Sequence, residues 1–105
     1  LVLIVSNRAA LPMTLNLIAN LAQLGLHHAL VLGTNAKVCA SLQHRSRPAC
    51  GWSSLLRQYQ RRLVQYNAGP MQLVWMQRWY YMQRALQQGY NMMMLDADIL
   101  LARDP

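Results

Sequence analysis

The sequence has almost no acidic side chains. Ten lysines and arginines stand against three carboxylates, which gives a net charge of +7 in 105 residues. The carboxylates are Asp96, Asp98 and Asp104, and positions 1–95 contain none. The chain therefore holds all of its carboxylate metal ligands in one short segment. The basic surplus is typical of proteins that bind nucleic acid or phosphate-bearing small molecules, and also of sequences from GC-rich genomes.

Long apolar runs are absent as well. No stretch approaches the roughly 20 residues that span a bilayer. The opening run Leu1–Val5 is interrupted at once by Asn7 and Arg8, and no methionine or basic region precedes it, so it does not resemble a signal peptide. Hydrophobic residues make up 54% of the chain, which is enough to bury a core and excludes a disordered tail. We expect no membrane segment here, and a chain cut from a longer polypeptide.

Cysteine is scarce, with Cys39 and Cys50 as the only two. Their spacing fits no zinc pattern, because there is no second pair and His44 alone does not complete a site. The two residues can close a loop as a disulfide in an oxidising compartment, or remain two thiols. The sequence leaves both readings open.

The first third of the chain predicts a βαβ unit. The run Leu1–Val5 is typical of a strand buried on both faces, and Ala29–Leu32 is a second apolar strand. Between them Pro12 suits the first turn of a helix and Gly25 its end. The apolar positions of that helix are Leu17, Ile18, Leu21 and Leu24. Such a unit normally gives parallel strands joined by a right-handed crossover.

The rest of the chain extends this α/β pattern. We predict a short helix over Ala36–Leu42, a polar loop over Gln43–Ser54 and a basic helix over Leu55–Tyr66. A long helix follows over Met71–Gln88, and Met92–Leu95 is another buried strand. The apolar positions of the long helix include Val74, Met82 and Leu86. The fold class is α/β, with an open, mostly parallel sheet of at least three strands and flanking helices.

Asp96 and Asp98 come directly after the last predicted strand. Ligands of open α/β sheets bind outside the carboxyl ends of the strands. Two carboxylates two residues apart can face one Mg²⁺ or Mn²⁺, whose remaining ligands are commonly phosphate oxygens and water. The simpler alternative is a turn or a helix cap, which such acid pairs form more often.

The segment Gly89–Pro105, which reads GYNMMMLDADILLARDP, resembles the closing motif of the nucleotide-diphospho-sugar transferase family. That family includes plant and algal arabinosyl-, xylosyl- and galactosyltransferases. The resemblance implies a glycosyltransferase A fold, which is Rossmann-like, and a nucleoside-diphosphate sugar donor, usually a UDP-sugar. It also implies transfer to a glycan or glycoprotein acceptor, retention of configuration, and residence in the Golgi lumen behind a membrane anchor outside this chain.

The same resemblance assigns site residues. Asp98 would be the main ligand of Mn²⁺ (or Mg²⁺), and Asp96 would approach the ribose or the metal through water. Arg84 on the long helix would contact the diphosphate, the alternative being a solvated helix residue. Ser6 and Asn7, at the end of the first strand, would hold the nucleotide base, although polar residues there also form turns.

Two departures from the family pattern limit the assignment. Many relatives carry an aspartate after the second strand, where this chain has Gly33–Asn35, so the carboxylate that makes one nucleotide contact in those relatives has no counterpart here. The motif also closes the chain, so we expect residues 1–105 to be the nucleotide-sugar-binding portion of one larger domain. The acceptor-binding half and any catalytic residue would follow Pro105, and Asp104 would brace the turn that ends the motif.

Three other functions compete with this one. A haloacid-dehalogenase-type phosphatase also places two aspartates after a strand, but its motif opens the domain and Leu100 stands where a Thr or Val is normal. A small basic nucleic-acid-binding protein would show an RNA- or DNA-binding signature, and none stands out, so we expect no nucleic-acid partner. The third is a fragment of such a transferase without activity. Aromatic side chains of the long helix can stack on a sugar or a base, but more often they lie in the core, and we expect the latter for Trp75, Trp79, Tyr80 and Tyr81.

Overall fold

The computed structural model describes residues 1–45, 48–53 and 70–102, and these form strands and helices in alternation. The strands are β1 (Val2–Ser6), β2 (Ala29–Gly33), β3 (Ala49–Gly51) and β4 (Met93–Leu95), and the helices are α1 (Leu11–Gln23), α2 (Ala36–Arg45) and α3 (Pro70–Gln87). The strands form one sheet in the order β3-β2-β1-β4, with every pair parallel. The predicted α/β class and parallel sheet are confirmed, and the arrangement is compatible with a Rossmann-like fold.

Strand β1 lies at the centre of the sheet. It pairs with β2 from Val2 opposite Ala29 to Ser6 opposite Gly33, and with β4 on its other side. The chain moves outward from β1 through β2 to β3, then returns across the sheet and places β4 beside β1. The strand order therefore reverses between β1 and β4, and this reversal marks the crevice where open α/β sheets bind ligands.

The two faces of β1 pack against different helices. Val2 and Ile4 lie in a core with Val31 of β2 and Leu95 of β4, and the helical residues of that core are Leu17, Leu21, Val38 and Leu42. Leu3 faces the other way and lines a hollow with Tyr81 and Ala85 of α3. Helices α1 and α2 thus cover one face and α3 the other, as right-handed crossovers require when the chain reverses direction.

Helix α1 begins and ends where the sequence predicts. Pro12 occupies its first turn, where a missing amide hydrogen costs nothing, and Gly25 follows its end with a φ of 76°. The left-handed backbone at Gly25 lets the chain turn toward β2, because an L side chain is disfavoured in that conformation.

The predicted loop over Gln43–Ser54 is wrong in part. Helix α2 continues to Arg45, and Ala49–Gly51 forms the edge strand β3 beside β2. Three residues flanked by Pro48 and containing a glycine give no strand signal of their own, so the pairing with β2 defines this element.

Cys39 and Cys50 form a disulfide, which decides between the two readings of the sequence. It joins α2 to the edge strand β3 with a Cα–Cα distance of 5.5 Å. Gly33 lies beside it, and a Cβ on that glycine would come within 3.1 Å of the Cys39 sulfur. The bond ties the outer strand β3 to the helix that precedes it.

The predicted helix over Leu55–Tyr66 and the residues from Arg103 to Pro105, including Asp104, lie outside the described residues. Among the helices that the structure describes, none is long and apolar enough to cross a membrane.

Replacing Leu21 with alanine tests the packing of α1. Leu21 is buried against β1, so we expect the free energy of unfolding to fall by about 2–5 kcal/mol in a chemical denaturation. Met13→Ala on the exposed side of the same helix is the matched control and should stay within about 0.5 kcal/mol of the unmodified chain. Equal effects of the two substitutions would contradict this orientation of α1.

Reduction of the disulfide should destabilise the chain. The bond closes a loop with a sequence separation of 11 residues, and loops of this size are expected to add about 2–4 kcal/mol to the stability. A thermal melt with and without dithiothreitol measures the loss. The Cys39→Ser, Cys50→Ser double variant should melt at the lower temperature in both buffers. A melting temperature that reductant does not change would show that the bond adds nothing.

Candidate functional site

The two aspartates lie on a turn at the carboxyl end of β4. The Ile99 amide donates a hydrogen bond of 3.2 Å to the carbonyl oxygen of Asp96, which closes a turn through Ala97 and Asp98. Both carboxylates are exposed. The segment that carries the aspartates is thus a turn, which the sequence analysis gave as the simpler alternative for such an acid pair. It stands next to the end of β1, beside the point where the strand order reverses.

This turn is fixed at both ends. Before it, Leu95 is buried in the core; after it, Ile99 and Leu101 pack against the same core. The Asn20 side chain of α1 holds the backbone of Leu101 by two hydrogen bonds, donating to its carbonyl oxygen at 3.0 Å and accepting from its amide at 2.8 Å. The chain therefore leaves the sheet at Asp96, reverses, and returns along α1.

Arg78 of α3 holds the first aspartate of the pair. Its Nη1 lies 2.7 Å from Oδ1 of Asp96, and its Nε donates to the sulfur of Met94 at 3.1 Å. The Arg78 side chain is 18% exposed, whereas that of Asp96 is 58% exposed, so the ion pair reaches from under the helix to the surface. Arg78 was not among the predicted site residues, because nothing in the neighbouring sequence distinguishes it from other helix arginines.

Arg84 lies elsewhere on α3. Its Nη1 donates to the hydroxyl of Tyr80 at 3.1 Å, and its guanidinium lies 5.7 Å from the centre of that ring. It lines a hollow with Leu1 and Met92, which stand at the amino ends of β1 and β4. Six residues along a helix correspond to about 9 Å, so Arg84 is displaced from Arg78 away from the carboxyl edge of the sheet. The structure does not bring Arg84 to Asp96.

The hydroxyl of Ser6 points into the protein. Ser6 is 1% exposed, and its oxygen lies 2.7 Å from the hydroxyl oxygen of Thr14, which is buried in α1. Thr14 in turn donates to the carbonyl oxygen of Ala10 at 3.0 Å. This hydroxyl pair joins the end of β1 to the first turns of α1, and it turns the Ser6 side chain away from the carboxyl edge.

Asn7 follows Ser6 and is exposed at that edge. Its side-chain oxygen accepts a 2.8 Å hydrogen bond from the amide of Ala10 and so closes the turn into α1. Asn35 has the same function after β2, where its side-chain oxygen caps α2 by accepting from the Val38 amide at 3.1 Å. Of the predicted residues, the structure therefore places Asn7, Asp96 and Asp98 at neighbouring strand ends.

The aspartate pair suits a cation that is shared with a phosphate ligand. Among the described residues, no group of three or more His, Cys, Asp or Glu side chains is placed to hold a metal by itself. Mg²⁺ is usually held by one or two carboxylates, with phosphate oxygens and water completing its shell. Asp96 shares one oxygen with Arg78, whereas the structure gives Asp98 no ion pair within the described residues. Of the two carboxylates, Asp98 is thus the one without an ion pair in the described part of the chain.

Two aromatic residues of α3 do not lie where we expected. Trp75 is 55% exposed and Trp79 60% exposed, so the prediction that they belong to the core is wrong. Tyr80 and Tyr81 are partly buried and pack edge to face at 5.2 Å between ring centres. The inward positions of α3 are instead taken by side chains such as Gln77 and Arg78, which an apolar pattern does not select.

Comparisons with protein-family models, with curated proteins and with solved structures find no match to this chain.

Proposed function

We propose that this chain is the donor-binding portion of a metal-dependent glycosyltransferase. It would bind a nucleoside-diphosphate sugar, which in the family that the Gly89–Pro105 segment resembles is usually a UDP-sugar. The sugar would be transferred to a glycan or glycoprotein acceptor. The observation that carries the proposal is the position of the Asp96–Asp98 turn beside the end of β1, where the order of a parallel sheet reverses.

The chemistry of the turn supports the same conclusion. Asp98 would bind Mn²⁺ or Mg²⁺, and a bound divalent cation acts as a Lewis acid that stabilises the departing diphosphate. Arg78 holds Asp96 in place at 2.7 Å and keeps a second positive charge at the edge of the sheet. Because guanidinium groups donate several hydrogen bonds in a fixed plane, Arg78 can also face the diphosphate while it orients Asp96.

Asn7 and the disulfide bear on two further parts of the proposal, the binding of the base and the cellular compartment. Asn7 at the end of β1 is the predicted base-binding residue that the structure leaves exposed at this edge. The disulfide between Cys39 and Cys50 fits an oxidising compartment such as the Golgi lumen.

Asp98→Asn tests the metal site. A ligand that binds only the folded chain raises its stability by RT ln(1 + [L]/Kd), about 2.7 kcal/mol at a hundredfold excess over Kd. We expect the melting temperature of the unmodified chain to rise when UDP and Mn²⁺ are added together, and much less with either alone. In Asp98→Asn the joint rise should disappear, since the direct ligand is lost.

The control for this variant is its melt without ligand. Asp98 is exposed, so its replacement should leave the ligand-independent melting temperature unchanged. A joint rise that survives in Asp98→Asn would remove the metal site from the proposal. A cooperative melt that UDP and Mn²⁺ do not shift would refute donor binding by this chain.

Arg78→Gln tests whether the guanidinium of Arg78 contributes to binding of the diphosphate. Loss of hydrogen bonds from a charged group costs about 1.5–3 kcal/mol, so we expect UDP–Mn²⁺ to bind roughly ten- to a hundredfold more weakly. Arg84→Gln is the matched control, because it removes the same charge from the same helix at the other end of the strands. Titration calorimetry measures both. A larger loss in Arg84→Gln than in Arg78→Gln would reverse the assignment of the two arginines.

A further inference from the structure

Two cations face a groove between α1 and α2 that the proposed donor site does not use. A hollow of about 380 Å³ is lined by Arg8, Leu11, Asn35, Lys37, Val38 and Ser41. A second hollow of about 310 Å³ shares Arg8, Leu11 and Ser41 with the first and continues it toward Leu15. Arg8 follows β1 and Lys37 begins α2, so the groove opens between β1 and β2, on the other side of β1 from the aspartate turn.

The charge of this groove is not balanced within the described residues. Arg8 and Lys37 are both exposed, and the structure records no ion pair for either within that part of the chain. No carboxylate occurs between positions 1 and 95, so no nearby stretch of sequence supplies a counter-charge. Two unpaired cations that line one concave surface attract an anion more strongly than either does alone, because their potentials add in the groove.

The position of Lys37 adds to this argument. It is the second residue of α2, and neither α1 nor α2 carries an acid in its first turn. A cation near a helix amino terminus opposes the helix dipole, whereas an acid is favoured there. A bound oxyanion would reverse this unfavourable arrangement while it pairs with Lys37.

Neutral polar groups line the same groove. The side-chain oxygen of Asn35 accepts from the Val38 amide, so its amide nitrogen remains as a donor. The Ser41 hydroxyl donates to the carbonyl oxygen of Lys37 at 3.0 Å, which fixes that side chain along the wall of α2. Leu11 and Leu15 supply an apolar wall opposite these groups. The groove thus combines positive charge, a donor and an apolar side.

We propose that Arg8 and Lys37 hold an oxyanion of the phosphate-ester class in this groove, as a second anion site separate from the Asp96–Asp98 turn. The inference does not depend on the proposed donor site, since it uses other residues on the opposite side of β1. The ligand is either a nucleoside diphosphate that enters by its phosphates or a phosphorylated molecule without a nucleoside.

The test is the binding of inorganic pyrophosphate by calorimetry in EDTA, where no metal site can take part. We expect the Arg8→Gln, Lys37→Gln double variant to bind at least tenfold more weakly than the unmodified chain. Arg84→Gln controls for loss of charge elsewhere and should change Kd less than about twofold. Asp98→Asn should bind no more weakly than the unmodified chain, which separates this site from the aspartate turn.

Three results would overturn the proposal: no binding of pyrophosphate at millimolar concentration, an equal loss in Arg84→Gln, or a loss in Asp98→Asn that the double variant does not show.

A second titration with UDP in EDTA identifies the source of the anion. Tighter binding of UDP than of pyrophosphate, lost in the double variant, means that a nucleotide occupies the groove. Equal or weaker binding of UDP means a phosphate ester without a nucleoside.

Discussion

The parallel pairing of β1 with strands on both sides is the constraint on which the rest of the structure depends. Both faces of β1 must be covered, because Leu3 faces α3 while Val2 and Ile4 face α1 and α2. The chain can cover both only if it crosses the sheet once outward and once back. That return places β4 beside β1, at the end of the sheet opposite β3, and it is the reason that Asp96 emerges next to Asn7 at the end of β1.

Two long-range contacts hold the turn that follows β4 in one position. Asn20 fixes the chain after the turn, and Arg78 fixes the carboxylate that begins it. They approach from opposite faces of the sheet, one from α1 and one from α3. A turn that was held on one side alone would be free to pivot about β4, whereas this one is held against both helical layers. Such support is what keeps the ligands of a binding site in place.

The sequence predicted what depends on local pattern. Apolar runs gave β1, β2 and β4, and Pro12 with Gly25 gave the limits of α1. Features set by distant partners were not predicted: β3 exists through its pairing with β2, and Asn20 acts on a backbone 81 residues away. Asp96 and Asp98 were selected from their position after a predicted strand, and the structure places them on the turn that follows β4. Arg78 was missed because its contact with Asp96 depends on the tertiary fold, and no spacing in the local sequence indicates it.

Helix α3 shows why an apolar pattern fails near a polar site. Gln77 is buried with no hydrogen-bond partner among the described residues, while Trp79 and Leu86 are exposed. A buried amide without a partner costs about 1–3 kcal/mol, so burial alone does not favour Gln77 at this position. The observed rotation brings Arg78 under Asp96, and a charged pair that reaches the surface offsets part of that cost. Next to Asp96 the inward positions of α3 therefore hold polar side chains, whereas Tyr81 and Ala85 face Leu3 farther along the helix. A pattern that assumes an apolar interior assigns the helix wrongly at the residues next to the turn.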